Sequence, residues 1–394
     1  MANEIVWYDS SETGAPVLNN AAGSLDAVLY ACLVTGFRTV TLDNIAVVSN
    51  VATATYSAGH GYGDKRMVEI SGATPSGLNG RKLVTVTGAG TFTFPAPGVA
   101  DTPTVTGAQA KRSPLGWTRP LNSGNVSMYE RTDVAATGMA LRIDDSGSGA
   151  AGATWARARM VESYTDLSTF TGAAPGASFF GGAGVYFPKG ANNTTAKAWV
   201  LVGDGRTFYL FTEASSFTAS SYSGMPQGVW AFGDINSFRA GDAYACMLAG
   251  SDDGTNGSSN CLGNVLGLGS TPSTTQNVVL ARPFNGIGAS VRKATVSVSS
   301  NRRVGGGGPP YPSPVDNGLT IHTPLLVSEQ ASAFNHPLRG TLRGMGDPLA
   351  EIPGGSLHLT VLDGVVGSDR RWLMVGFQNS GSYGHAAFDI TGPW

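Results

Sequence analysis

The sequence predicts a mainly β, multidomain chain of sandwich or barrel-like architecture, with one short N-terminal helix and a small inserted β module. Three observations carry this. Of 394 residues, 55 are glycine and 21 proline, a composition rich in turns and poor in helix. Short apolar runs recur between Gly, Ser and Asn clusters, as in "MALRID", "ATWARARMV", "GAGVYFP", "GVWAFGD" and "KATVSVSS". Hydrophobic residues make up 41%, enough for a sizeable core, whereas charged residues make up only 13%, about half the usual fraction. So few charges cannot coat a large free monomer, and part of the surface is expected to be covered by other protein.

Residues 1–43 hold the one helix. Ser24 can cap it, Leu25, Val28, Leu29, Cys32 and Leu33 follow at helical spacing, and Gly36 can stop it. Docking of this apolar stripe within the chain is the expectation. Residues 44–108 read as a separate small β module with its own apolar set: Val68, Ile70, Leu83, Val84, Val86, Phe92 and Phe94. As an insertion, it should bring residues 43 and 109 close together. Residues 109–301 form the central sandwich-like region. The stretch 302–318, "RRVGGGGPPYPSPVDNG", combines flexible glycines with stiff prolines and reads as a linker or strap. Strands resume over 319–394 and are expected to pack on the central region.

Two stretches resemble virion proteins of tailed bacteriophages. Gly59–Tyr62 ("GHGY"), Val68–Gly80 ("VEISGATPSGLNG") and Thr91–Gly107 ("TFTFPAPGVADTPTVTG") resemble an added β module of such proteins, and "AKAWVLVGDGRTFYLFT" followed by "WAFGDINSFRAGDAYACMLAG" resembles the central part of tail proteins of Mu-related siphophages. The ending "FDITGPW" is similar to the aromatic ends of other tail proteins. The resemblance implies a structural tail or baseplate component and assigns no catalytic site.

The residues themselves point away from chemistry. A net charge of −2 lacks the basic face of a nucleic-acid binder. No HxH or HExxH spacing joins His60, His322, His336, His358 and His385, although His322 and His358 lie in alternating strands that could meet across a sheet. The carboxylate pairs Asp144-Asp145 and Asp252-Asp253 lie in Gly/Ser loops, where turn capping is the expectation rather than glycoside hydrolysis. There is no GxSxG elbow, no P-loop and no EF-hand spacing. No catalytic, cofactor or metal site is therefore expected. Cys32 and Cys246 read as buried apolar residues, with a Cys246–Cys261 pairing left open. The opening "MANEIVWYDSSE" has no apolar signal region, and the run Ala27–Val34 is too short to cross a bilayer, so folding in a bacterial cytoplasm without membrane insertion is expected.

The hairpin "WVLVGDGRTFYLFTE" poses a problem of its own. Asp204-Gly205 is a turn signal, but both arms are apolar without a break, so both faces need cover. The expectation is cover by another subunit or domain, with Trp199, Phe208, Tyr209 and Phe211 as interface residues and Trp117 and Tyr311 as further anchors; the alternative is a third layer from the same chain, supplied by the N-terminal helix or the Pro-rich strap at 305–314. Tyr129 and Tyr222 belong to the same aromatic set. The function expected is a homo-oligomeric structural component of a phage tail, at the baseplate or tail tip, bridging the tail and its receptor-binding fibres. Two alternatives follow from the same features: a tail fibre that binds a host surface receptor or glycan, and a capsid decoration protein.

Overall fold

The computed structural model describes residues 5–147, 155–176, 184–190, 194–213, 225–251, 278–296, 310–329, 337–350, 352, 355–363, 369–379 and 382–394. It is mainly β, with several antiparallel sheets, one helix near the N-terminus and a short 3-10 turn over Ser76–Leu78. The expected fold class holds.

The middle of the molecule is a 10-stranded sheet. The problem hairpin, Trp199–Gly203 and Thr207–Thr212, sits inside it. On one side the N-terminal strand Val6–Asp9 pairs with it, Val6 opposite Gly203. On the other side comes Gly228–Asp234, with Phe208 opposite Phe232 and Leu210 opposite Trp230. The sheet then runs through Cys246–Ala249, Val278–Leu280, Val291–Val296, Leu326–Ser328 and Leu338–Thr341 to Asn236–Ser237. That last strand continues Gly228–Asp234 after Ile235 alone. The far part of the sheet therefore curls back on itself as a barrel, which removes its open edge.

A five-stranded sheet lies on one face: Thr118–Ser123, Val126–Glu130, Ala140–Asp144, Trp155–Val161 and Val185–Pro188. A second one lies on the other face, formed by Ile321–His322, Met345–Pro348, Ser382–Asp389, Arg371–Asn379 and Thr360–Asp363. One core cluster runs from Ile5 to Phe388 through all three layers. The expected divisions at 109–301 and 319–394 are thus not divisions of packing: strands from both share one sheet.

The helix Ser24–Tyr30 continues as a π-helical turn over Ala31–Thr35. Its apolar stripe Leu25, Val28, Leu29, Cys32 and Leu33 enters that core. Gly23 occupies the N-cap, and the first amides are capped from outside the segment. Asp145 Oδ2 accepts from Leu25 N at 2.8 Å and from Asp26 N at 3.2 Å. Ser24, expected to cap, instead donates its hydroxyl to the Asn19 carbonyl at 2.7 Å. Gly36 ends the segment at φ 73°, and a Cβ there would lie 2.2 Å from the Arg112 carbonyl oxygen, so only glycine fits.

The inserted module is wider than 44–108. Its core runs from Val40 to Ala110. It packs the four-stranded sheet of Phe37–Thr41, Gln109–Arg112, Met67–Ser71 and Gly80–Leu83 on the five-stranded sheet of Thr85–Gly88, Thr91–Pro95, Val51–Thr55, Asn44–Val48 and Thr102–Val105. Entry and exit run side by side: Gln109 pairs with Thr41, and Leu42 N donates to Ala108 O at 2.8 Å. The "GHGY" histidine is structural. His60 is buried, stacks on Tyr62, meets the Phe92 ring edge-on and bonds to the Gly88 carbonyl through Nε2 at 3.1 Å.

Candidate interaction surface

The side chains expected at an assembly surface lie elsewhere. Trp199, Phe208, Tyr209 and Phe211 are fully buried within this single chain, and so is Trp117. Alternation divides the hairpin between two covers. Phe208 meets Trp117 at 5.6 Å, and Trp117 also packs on Phe232. Beside them, Phe187 of the first flanking sheet stacks on Trp230 at 6.3 Å. On the opposite face, Tyr209 and Phe211 meet Phe388 at 5.1 and 5.8 Å, and Tyr209 meets Trp394 at 5.9 Å. The expectation of an intermolecular surface here is corrected. The hairpin is the middle of three layers, and its second face is covered by the C-terminal residues of its own chain. Tyr311 is half-buried against the small C-terminal core. Tyr129 is buried and donates its hydroxyl to Asp26 Oδ1 at 2.6 Å, and Tyr222 lies outside the described residues.

Buried ion pairs fix these layers to one another. Asp234, with no exposure, pairs with Arg131 at 2.6 Å and Arg206 at 3.0 Å, and accepts from the Thr137 hydroxyl at 2.7 Å. Asp204 caps its own turn by accepting from the amides of Arg206 and Thr207, both at 2.8 Å, and also pairs with buried Arg343 at 2.6 Å. Asp145 binds buried Lys189, so the second carboxylate of the Asp144-Asp145 pair holds the helix rather than its own loop. Asp144 does cap its loop, accepting from Ser146 N at 3.2 Å. Asp252 and Asp253 lie outside the described residues.

The histidines do not pair as the alternation suggested. His322 sits in an edge strand opposite Asp347. His358 lies at the other edge of that sheet, accepting from Gly376 N at 3.1 Å, next to His385. Burial and His358 push the His385 imidazole down to about 4. His336 and Cys261 lie outside the described residues. Cys32 and Cys246 are buried free thiols, and burial pushes Cys246 up to about 11, which keeps it unreactive. Among the described residues no group of three or more His, Cys, Asp and Glu could hold a metal ion, and no helix is long and apolar enough to cross a membrane.

Among the described residues, one place open to a partner is a cleft of about 490 Å³ where the barrel meets the first flanking sheet. Ala135, Ala136 and Thr137 form one wall, and Asn236, Arg239 and Asp242 are among the residues of the other. Its charges are already engaged: Arg206 with Asp234, and Asp242 with Arg339 at 2.7 Å. Large apolar side chains stand beside it. Phe238, bonded through its amide to Arg339 O at 3.1 Å, is 57% exposed, and the neighbouring Leu338 is 49% exposed. Val134, adjoining Ala135, is fully exposed. Ile287 is also exposed and follows Phe284, whose carbonyl accepts from Arg239 at 2.7 Å. A second exposed apolar pair, Val48 and Val51, flanks the tight turn Ser49-Asn50 at one end of the module. Sequence reading did not single out Phe238, Leu338 or Ile287. They sit alone among polar or small residues and carry no period. The comparisons with known proteins find no matching family model and no matching curated sequence.

Proposed function

We propose that this chain is a structural component of a bacteriophage tail, at the baseplate or tail tip, bridging the tail and its receptor-binding fibres as a homo-oligomer. The observation that carries the reading is a set of exposed apolar side chains next to the lining of one cleft: Val134 and Phe238 adjoin lining residues in sequence, Leu338 adjoins Arg339, which pairs with Asp242 of the lining, and Ile287 follows Phe284, to which Arg239 of the lining donates. Exposed apolar groups gathered at one place mark a protein contact. The sequence likeness of the module and the hairpin region to tail proteins supplies the setting. Paired charges along the cleft suit a register-holding contact between rigid subunits, with apolar burial supplying the energy.

The test has two parts. Antibodies to the purified chain, applied to phage particles from bacteria that encode it, should label the tail tip. Label on the head would favour a capsid decoration protein, and unlabelled particles would sink the virion reading. Phe238→Ser with Leu338→Ser should leave melting unchanged while lowering the assembled mass measured by light scattering. An unchanged mass would remove the cleft from the interface.

A further inference from the structure

One strand of the first flanking sheet gathers charge on the face turned away from the core. Along Trp155–Val161, Ala156, Ala158 and Met160 enter the main core, so Trp155, Arg157 and Arg159 project from the opposite face. The adjacent strand sets Arg142 directly opposite Arg159, and Asp144 opposite Arg157. On the other side Tyr186 stands opposite Arg157, whose guanidinium lies 3.7 Å from the centre of the tyrosine ring. Trp155 meets Tyr186 edge-on at 5.2 Å. Phe170 lies 5.9 Å from the Arg142 guanidinium and 5.7 Å from that of buried Arg159 and covers that end of the face, whereas Arg157, Trp155 and Tyr186 at the other end are half-buried.

The arginines of this face hold protein partners of their own. Arg142 Nε donates to Leu167 O at 2.8 Å, and Arg157 Nη2 donates to Gly184 O at 2.5 Å. Charge is what accumulates. Asp144 meets Arg142 at 3.3 Å, and Glu130, farther along the sheet, accepts from the Tyr164 hydroxyl at 2.7 Å. Like charges directly opposite one another across an antiparallel pair destabilise the sheet. Burial, then Arg142 and Arg157, all push the pKa of Arg159 down. Phe170 offsets part of this cost for Arg142 and Arg159, and a sheet that carries the rest beside the Trp155 and Tyr186 rings has the composition of a ligand site. Side chains two apart on a strand stand roughly 6.6 Å from each other, and directly opposed ones about 5 Å. Arg142 and Arg157 themselves stand on the diagonal between the two strands, about 7–8 Å apart at the backbone, with Tyr186 beside one and Asp144 beside the other.

We propose that this face binds an acidic saccharide, with a sugar ring against Trp155 and Tyr186 and its carboxylate or phosphate on Arg157 and Arg142. A guanidinium fork matches either oxyanion in two-pronged fashion. A saccharide also offers C–H groups to the rings and hydroxyls to Asp144. The chain's net charge of −2 lacks the broad basic field that nucleic acid requires. This binding does not depend on where the chain sits in a virion.

The experiment is titration calorimetry of the full-length chain with oligogalacturonate and with a phosphorylated mannose oligosaccharide, which separate the two oxyanions. A neutral malto-oligosaccharide and single-stranded DNA are the controls. At least one acidic sugar should bind, more weakly as salt rises, and the neutral sugar should not. Arg142→Gln with Arg157→Gln should weaken binding at least tenfold while the melting temperature holds or rises, because like-charge repulsion is relieved. Trp155→Leu, at the half-exposed end of the strand, should weaken it as well and serves if the arginine variant melts early. No binding of either acidic sugar at millimolar concentration, or unchanged binding in both variants, would overturn the site. DNA binding as tight as the sugar would overturn the saccharide assignment.

Discussion

Phe388→Ala is the sharpest test of the three-layer arrangement. Phe388 is fully buried and carries the contact between the C-terminal sheet and the hairpin, 5.1 Å from Tyr209 and 5.8 Å from Phe211. Burying a phenylalanine removes at least about 150 Å² of apolar surface from water, worth about 4 kcal/mol at roughly 25 cal/mol per Å². Measured Phe→Ala losses in cores fall at about 3–5 kcal/mol, in agreement. At roughly 2 °C per kcal/mol for a large domain, the melting temperature should fall by about 8 °C. Tyr209→Phe is the matched control. It keeps the ring and removes only the buried hydroxyl that donates to the Arg343 carbonyl at 2.9 Å, so it should cost about 1 kcal/mol. Scanning calorimetry gives the stabilities, and light scattering on the same samples gives the mass. If Phe388→Ala melts within about 1 °C of the parent and only the assembled mass changes, the hairpin is covered by another subunit and the layer assignment is wrong.

Asp234→Ala leaves Arg131, 1% exposed, without its buried carboxylate and should cost about 3–5 kcal/mol in urea unfolding; Asp234→Ala with Arg131→Met should cost clearly less than Asp234→Ala alone. His385 should make stability pH-dependent. Its folded pKa of about 4 lies below the ordinary 6.5, so the unfolded chain binds more protons between these values. Stability should therefore fall by up to about 3 kcal/mol as pH drops from 6.5 to 4 and level off below, and His385→Phe should flatten that part of a melting-versus-pH curve. Gly36→Ala should cost at least about 1–3 kcal/mol by melting, since the left-handed backbone is compounded by a Cβ only 2.2 Å from a carbonyl oxygen; an unaffected midpoint would mean the helix ends differently. A fragment spanning residues 37–112 should fold alone with β-type circular dichroism, because its core from Val40 to Ala110 closes on itself.

The local features of this chain were legible because local chemistry fixes them. Gly/Pro density and short β-branched runs determine a β architecture. The stripe from Leu25 to Leu33 determines a helix, and Asp204-Gly205 a turn. The apolar runs of the module determine a second core. None of these depends on distant residues. The tertiary structure decided what distant residues do to one another. Alternation shows that both faces of 199–213 are apolar, but burial is non-directional, and a second subunit or the chain's own C-terminus satisfies it equally well. Only the placement of Phe388 and Trp394 selects the second. Asp145 reads as a loop carboxylate beside Asp144, yet it caps a helix 120 residues away in sequence and binds Lys189. The exposure of Phe238 and Leu338 likewise follows from where the barrel closes, which no local pattern encodes. A hydrogen bond or ion pair between remote residues leaves no period in the sequence, so the elements were readable and the way they are layered and fastened was not.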